Sequence, residues 1–388
     1  MNIIITPAKL SGDLSVIPSK SLAHRYLISA ALSDSATELI CPETNADIEA
    51  TVRCLRAIGA DITRSDSGYL INPIRHTPER AILNCGESGS TLRFLLPVVA
   101  ALGIDATFRM EGRLPFRPLS PLQVELERMG CAISRPDPDT VRCIGKLRPG
   151  NYAIDGSVSS QFITGLLFAL PLINGPTHLE VTGNVESRPY IHMTLAALKL
   201  FDAPHFQTPG TVVAEGDWSN GAFWLAANAL GSDINVDNLN YGSIQGDRAV
   251  TGILPQLDNH CTIDVSDIPD LVPILAIVAA AKAGAVFTDI GRLRLKESDR
   301  VASVESMIRS LGGIAEATED ILTVRGTGLI GGSVDTCGDH RIAMAAAIGA
   351  TVCREPVTVR GAEAVNKSYP KFWEEYRKLG GNYEQHLR

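Results

Sequence analysis

Apolar residues gather in six segments along the chain, and each segment opens on small or polar residues. The segments start near Ser19 (SKSLAHRYLISAAL), Ser88 (SGSTLRFLLPVVAAL), Ser157 (SVSSQFITGLLFALPL), Asp217 (DWSNGAFWLAANAL), Asp270 (DLVPILAIVAAA) and Gly338 (GDHRIAMAAAIGA). In the first, Ala23, Tyr26, Leu27, Ala30 and Ala31 follow the spacing of a helix core face. All six are apolar on most sides, which predicts six buried helices. A second, more polar helix is expected after each, in CLRAIGA, LERMGC, ALKLFDA, ILPQLDN, MIRSLGG and YRKLGG, ending at Gly59, Gly130, Asp202, Asp258, Gly312 and Gly380. Short β-runs around turn signals follow several of these, as in ADITRSDSGYLINP, CAISRPDPDTVRCIG and HFQTPGTVVAE. The pattern predicts six α/β units of about 65 residues, gathered as two groups of three around shared cores. The polar stretch His205 to Ser219 is the expected crossing between the groups, and the strand around Ile3 to Thr6 could join either.

Composition narrows the class. Of 388 residues 45% are apolar, and 43 acidic side chains outnumber 35 basic ones, so no overall basic field exists to hold a nucleic acid. The eight cysteines are scattered without a CxxC pair, which fits a reducing cytoplasm rather than a disulfide framework. MNIIITPAKL has no features of a signal peptide, and the apolar run Leu271 to Ala281 is too short to span a bilayer, so no membrane association is expected.

Candidate chemistry sits at the starts of the buried helices. Unpaired N–H groups and the helix dipole favour an anion there. Ser159, Asp217 and Asp270 can be ordinary N-caps. Lys20, Arg25, Arg93 and Arg341 are different, because a cation at that end opposes the dipole unless an anionic ligand compensates. Lys296 and Arg300 share a helical face in KESDR and would repel without an anion or carboxylate; Glu297 is the nearest carboxylate. Arg117 and Lys367 lie in linking segments. No P-loop, zinc spacing or G-x-S-x-G elbow is present, and GTGLIGG reads as a turn because no helix follows it. Cys85 and Cys337 stand near helix starts, where inert cysteine is the commoner case.

Ten segments in order carry a resemblance to the 5-enolpyruvylshikimate-3-phosphate (EPSP) synthase family. They are IPSKSLAHR, CGESGSTLRFL, FRPL, SSQF, SRPYI, EGDWS, IPD, RLKESDR, GDHRIAM and NKSYP. The resemblance implies an α/β fold of two similar domains, each of three βαβαββ repeats. It implies an inserted domain over residues 14–216 and a discontinuous one over 1–13 and 217–388. The implied reaction moves the carboxyvinyl group of phosphoenolpyruvate to the 5-hydroxyl of shikimate 3-phosphate and releases phosphate. Carried over by position, Lys20, Ser21, Arg25, Ser159, Ser160, Gln161, Ser187, Asp270 and Lys296 would hold shikimate 3-phosphate. Lys20, Gly89, Arg117, Gln161, Arg300, Arg341 and Lys367 would hold phosphoenolpyruvate. Asp270 would be the general base, and Glu297, assisted by Lys20, the proton donor. Between Lys296 and Arg300, Glu297 is expected to have a lowered pKa, which bound phosphates would offset.

No metal or organic cofactor is implied. Glyphosate is an expected competitor at Gly89, monomer is the family's habit, and a site split between halves implies closure over the substrates. Two positions depart from the family's pattern, which usually has asparagine where Glu87 and Arg292 stand here. Glu87 should repel phosphoenolpyruvate unless it pairs with a neighbour such as Arg93 or Lys367. The chain is also shorter than many members, which points to trimmed loops. Two other readings are a sister transferase acting on UDP-N-acetylglucosamine and a catalytically silent anion binder. SSQF, SRPYI and GDHRIAM oppose the first, as does the lack of cysteine in the FRPL loop. Asp270, Glu297 and Lys20 together oppose the second.

Overall fold

The computed structural model describes residues 1–386. The chain divides into two compact units, residues 1–17 with 216–388 and residues 18–215. The N-terminus supplies β1 (Asn2–Thr6) and β2 (Ser11–Ser15). The inserted unit follows, with α1 (Lys20–Ala31), β3 (Thr37–Ile40), α2 (Ala46–Ala57), β4 (Asp61–Arg64) and β5 (Gly68–Asn72). Next come β6 (Arg80–Asn84), α3 (Gly89–Leu102), β7 (Asp105–Arg109), α4 (Leu122–Arg128), β8 (Cys131–Ser134) and β9 (Thr140–Gly145). The unit ends with β10 (Gly150–Asp155), α5 (Ser160–Ala169), β11 (Thr177–Thr182), α6 (Arg188–Leu200) and β12 (Thr211–Val213).

The other unit resumes with α7 (Trp218–Ala229), β13 (Asp233–Asp237), the single turn α8 (Val250–Ile253), β14 (Cys261–Asp264), α9 (Val272–Ala281) and β15 (Gly284–Thr288). It continues through α10 (Arg300–Ser310), β16 (Ile314–Ala317), β17 (Ile321–Arg325), β18 (Gly332–Asp335) and α11 (His340–Ala350). It closes with β19 (Val357–Arg360), α12 (Phe372–Lys378) and β20 (Asn382–His386).

One strand order explains the sheets. In β6-β7-β9-β8 the first two strands are parallel across a helix, and the last two form an antiparallel hairpin behind a second helix. The same order recurs in β14-β15-β17-β16. It recurs with borrowed strands in β12-β3-β5-β4, where β12 arrives from the unit's far end, and in β18-β19-β1-β20, where the N-terminal β1 takes the third place, between β19 and β20. The strand around Ile3 to Thr6 therefore joins the C-terminal half. The remaining two sheets, β10-β11 and β13-β2, stop after the parallel pair.

The predicted β-run HFQTPGTVVAE is accordingly not a hairpin beside β11. Its only strand is β12, paired to β3. Nor is ILPQLDN a regular helix, because Pro255 breaks it into α8 and the 3-10 turn Leu254–Asp258.

The six apolar helices are α1, α3, α5, α7, α9 and α11, three to each unit's core. Every residue of α9 except Ala281 is buried. In α3, Pro97 leaves the Arg93 carbonyl without its usual helical donor, and Gly165 of α5 packs against that oxygen. A Cβ at Gly165 would lie 2.2 Å from it, so glycine sets the α3–α5 approach.

Candidate active site

In the inserted unit, Ser19, Ser88 and Ser159 cap α1, α3 and α5 through their side chains. Each cap leaves the following residues projecting from the helix start. Lys20 at the head of α1 pairs with Asp47 of α2 at 2.9 Å, both side chains largely buried. Arg25 is buried one turn on. It donates to the Ser21 carbonyl at 2.7 Å, the Thr194 hydroxyl at 2.9 Å and the Tyr190 carbonyl at 2.7 Å, which joins α1 to α6. Burial lowers its pKa to about 10, so it stays charged at neutral pH.

Gln161 links α5 to α3. Its Oε1 accepts from Arg93 Nη1 at 2.7 Å and its Nε2 donates to Ser90 Oγ at 3.0 Å. Arg93 Nη2 also donates to the Pro118 carbonyl at 2.9 Å, which holds the FRPL segment against α3. At Gly89 a Cβ would meet Arg117 Nη1 at 2.8 Å and Arg93 Nη1 at 3.0 Å. Two guanidinium groups thus converge over a helix start that has no side chain in the way. Glu87 turns toward Gly112, whose Cβ would lie within 2.4 Å of the Glu87 carboxyl carbon. Ser160 is buried beside these groups, and Ser187 precedes α6 in a left-handed conformation with φ 54°.

A buried hydroxyl chain ties these helix starts together. Thr91 donates to Ser88 Oγ at 2.8 Å, leaving its oxygen to accept from Thr51 at 2.7 Å. Thr51 in turn accepts from His24 Nδ1 at 2.7 Å, which fixes the Nδ1–H tautomer. Burial lowers the His24 pKa to about 3, so the ring is neutral.

The second cluster lies in the other unit. Asp217 and Asp339 cap α7 and α11. Among the six apolar helices α9 alone begins without a side-chain cap, so Asp270, just before it, faces cations instead. Asp270 accepts from Arg300 Nη1 at 2.7 Å and Arg341 Nη2 at 3.0 Å, with Lys296 Nζ at 3.7 Å. Arg300 also donates to Glu297 at 2.6 Å and Asp339 at 2.9 Å, and Ser298 donates to Asp339 at 3.2 Å. Burial would raise the Asp270 carboxyl, but Arg341, Lys296 and Arg300 outweigh it and hold it well below the usual range. Lys296 falls to about 8, through burial that Asp270 only partly offsets. Burial would lower Arg300, but Asp339, Glu297 and Asp270 outweigh it and keep its pKa above its ordinary value. Lys367 ends the 3-10 turn Ala362–Lys367, which packs on α11.

Three carboxylates were not singled out by sequence reasoning for a role in the site. Asp47 has no motif signal. Asp339 was visible in GDHRIAM but read only as a helix opening, although it binds Arg300. Asp247 is fully buried, accepts from the Ser219 hydroxyl, and is raised to about 7 by burial and by Asp270. Among the described residues, no group of His, Cys, Asp and Glu has the arrangement of a metal site.

Repeated βαβα units with cations at buried helix starts define an anion-handling α/β protein of the enolpyruvyl transferase fold. An EPSP synthase structure from Acinetobacter baumannii superposes with TM-score 0.78 at 22% identity, covering 99% of this chain and all of that one. The family model for EPSP synthase (3-phosphoshikimate 1-carboxyvinyltransferase) matches residues 4–264 and 256–376. The 3-phosphoshikimate 1-carboxyvinyltransferase of Clostridium kluyveri is 38% identical over 419 positions, and that of Clostridium beijerinckii 36% over 428, each alignment covering at least 98% of both chains. The chain belongs to the EPSP synthase family. Both alignments run longer than its 388 residues, so these relatives carry segments that it lacks.

Proposed function

We propose that this chain transfers the carboxyvinyl group of phosphoenolpyruvate to the 5-hydroxyl of shikimate 3-phosphate by addition and elimination. The observation that carries the reading is Asp270, set against Lys296, Arg300 and Arg341 in a member of this family. In the addition, Asp270 removes the proton of the 5-hydroxyl as its oxygen attacks C2 of phosphoenolpyruvate. Glu297, assisted by Lys20, protonates C3. In the elimination, a methyl proton returns to Glu297 and the C2–O bond to phosphate breaks as Asp270 passes the hydroxyl's proton to the departing phosphate, giving the enol ether and inorganic phosphate.

The resting electrostatics suit this order of events. Alone, Asp270 is a weak base because three cations stabilise its charge. A bound phosphate or carboxylate competes for Arg341 and Lys296, weakens that field and makes Asp270 more basic only when substrate is present. Lys20, Ser21, Arg25, Ser159, Ser160, Gln161, Ser187 and Lys296 bind shikimate 3-phosphate in this reading. Lys20, Gly89, Arg117, Gln161, Arg300, Arg341 and Lys367 bind phosphoenolpyruvate, where glyphosate competes. Each such cation contributes about 4 kcal/mol before desolvation at 4 Å and an effective dielectric of ~20.

The test is phosphate release from phosphoenolpyruvate with either shikimate 3-phosphate or UDP-N-acetylglucosamine as acceptor. Release with the first only is expected. Release with the second, or binding of both substrates without release, overturns the reading. Asp270→Asn should lower kcat by about 10²- to 10⁴-fold.

A further inference from the structure

Two threonines of the inserted unit that take no part in the reaction occupy the same kind of place. Thr51 lies on α2 and Thr194 on α6, the second helices of their repeats, and both are fully buried. α2 packs on α1 and α3, and α6 packs on α5 and α1. α3 and α5 pack directly on each other through Gly165, whereas α1 meets them largely across these two intervening helices. The distance from the α1 start to its neighbours is therefore set by what α2 and α6 place between the helices.

At Thr51 that is a hydroxyl with a donor on one side and an acceptor on the other. Thr91 of α3 spends its proton on Ser88, so Thr51 donates to Thr91, and the Thr51 oxygen accepts from His24 of α1. Lys20 and His24 lie one turn apart on α1, as Asp47 and Thr51 do on α2. The 2.9 Å Lys20–Asp47 pair and the 2.7 Å His24–Thr51 bond are thus successive rungs of one contact. At the far end of the chain Ser88 is the cap of α3, directly before Gly89.

Thr194 is wired differently to the same effect. Its proton goes to the Tyr190 carbonyl of its own helix at 3.0 Å. Its oxygen is left to accept from Arg25 Nε of α1 at 2.9 Å and from Thr164 of α5 at 2.9 Å. Arg25 lies one turn beyond Ser21, and Thr164 one turn beyond Ser160. A buried hydroxyl that both accepts and donates holds its partners to hydrogen-bond distance, which an apolar contact of the same size does not do.

We propose that Thr51 and Thr194 are positioning residues with separate duties: Thr51 fixes the α1 start against the α3 start for phosphoenolpyruvate, and Thr194 fixes it against the α5 start for shikimate 3-phosphate. The assignment rests on the substrate reading given above, in which Lys20 and Gly89 hold the first ligand and Ser21, Arg25 and Ser160 the second. Neither threonine touches substrate. Each acts through the two helix starts that it spaces, so loss of one hydroxyl loosens one half of the site and leaves the other half as it was.

Steady-state kinetics of single variants of the full chain test this. Thr51→Val keeps the shape of the side chain and removes the hydroxyl. It should raise KM for phosphoenolpyruvate by about 10-fold and leave KM for shikimate 3-phosphate within about 2-fold, because Asp47 still holds Lys20. Thr194→Val should show the reverse split. Thr51→Ser and Thr194→Ser, which keep the hydroxyl, should behave as wild type. Thr91→Val and Thr164→Val break the same junctions from the other side while His24 and Arg25 stay paired, and should reproduce the two splits even where a Thr51 or Thr194 variant does not fold. Unchanged KM values, both KM values rising together with a fall in melting temperature, or serine variants no better than valine overturn the proposal. Wild type that does not turn over the two substrates overturns the substrate reading itself, and this proposal with it.

Discussion

At Gly89 a methyl group would meet the ends of two flexible arginine side chains, not backbone. The fold can therefore absorb Gly89→Ala while Arg117 and Arg93 are displaced. The variant should keep its melting temperature, raise KM for phosphoenolpyruvate several-fold, and weaken glyphosate more than substrate; steady-state kinetics with inhibitor titration check this. Lys296 makes a pH prediction. With its pKa near 8, its charge is present below that pH and lost above it, so KM for shikimate 3-phosphate should rise above about pH 8. Asp247 makes a stability prediction of the opposite sign from a usual carboxylate. Its folded pKa, about 7, lies above the ordinary 3.8, so the folded chain keeps a proton that the unfolded chain releases between these values. Stability is lost as pH rises through that window and the cost is constant beyond it. Asp247→Asn should raise stability by roughly 2–4 kcal/mol at about pH 8 and change little near pH 4, measured by denaturant unfolding. Cations were readable from the sequence because they oppose helix dipoles. Glu297, three residues from Arg300, was readable as a partner, but Asp47 and Asp339 were not, since Asp47 lies 27 residues from Lys20 and Asp339 lies 39 from Arg300.

Helices were more readable than the strands around them. The six buried helices announce themselves because their apolar residues leave no polar face, and Gly165 shows how closely they pack. Gly165→Ala would force a Cβ against the Arg93 carbonyl, so it should destabilise by about 3 kcal/mol or more, seen as a fall in melting temperature. The hairpins after α2 and α4 were visible through their turn residues. HFQTPGTVVAE carries similar turn signals yet supplies only β12, because strand pairing depends on which edge is within reach, here that of β3. Among the described residues, the two sheets β10-β11 and β13-β2 have no hairpin after their parallel pair.

For the whole molecule, the repeat count was open to view from periodicity alone, but the exchange of strands was not. β2 opens a repeat whose helix α7 begins about two hundred residues later, and β12 closes back onto the repeat begun by α1. No local pattern encodes such partners. The exchange lets one continuous chain complete both units, so each core is sealed with strands from distant parts of the sequence. What this architecture serves is tested most directly by mass spectrometry of the acceptor after incubation with phosphoenolpyruvate. The account predicts shikimate 3-phosphate converted to its carboxyvinyl ether, with one phosphate released for each molecule formed. Shikimate 3-phosphate recovered unchanged, while phosphoenolpyruvate is bound or consumed, would contradict it.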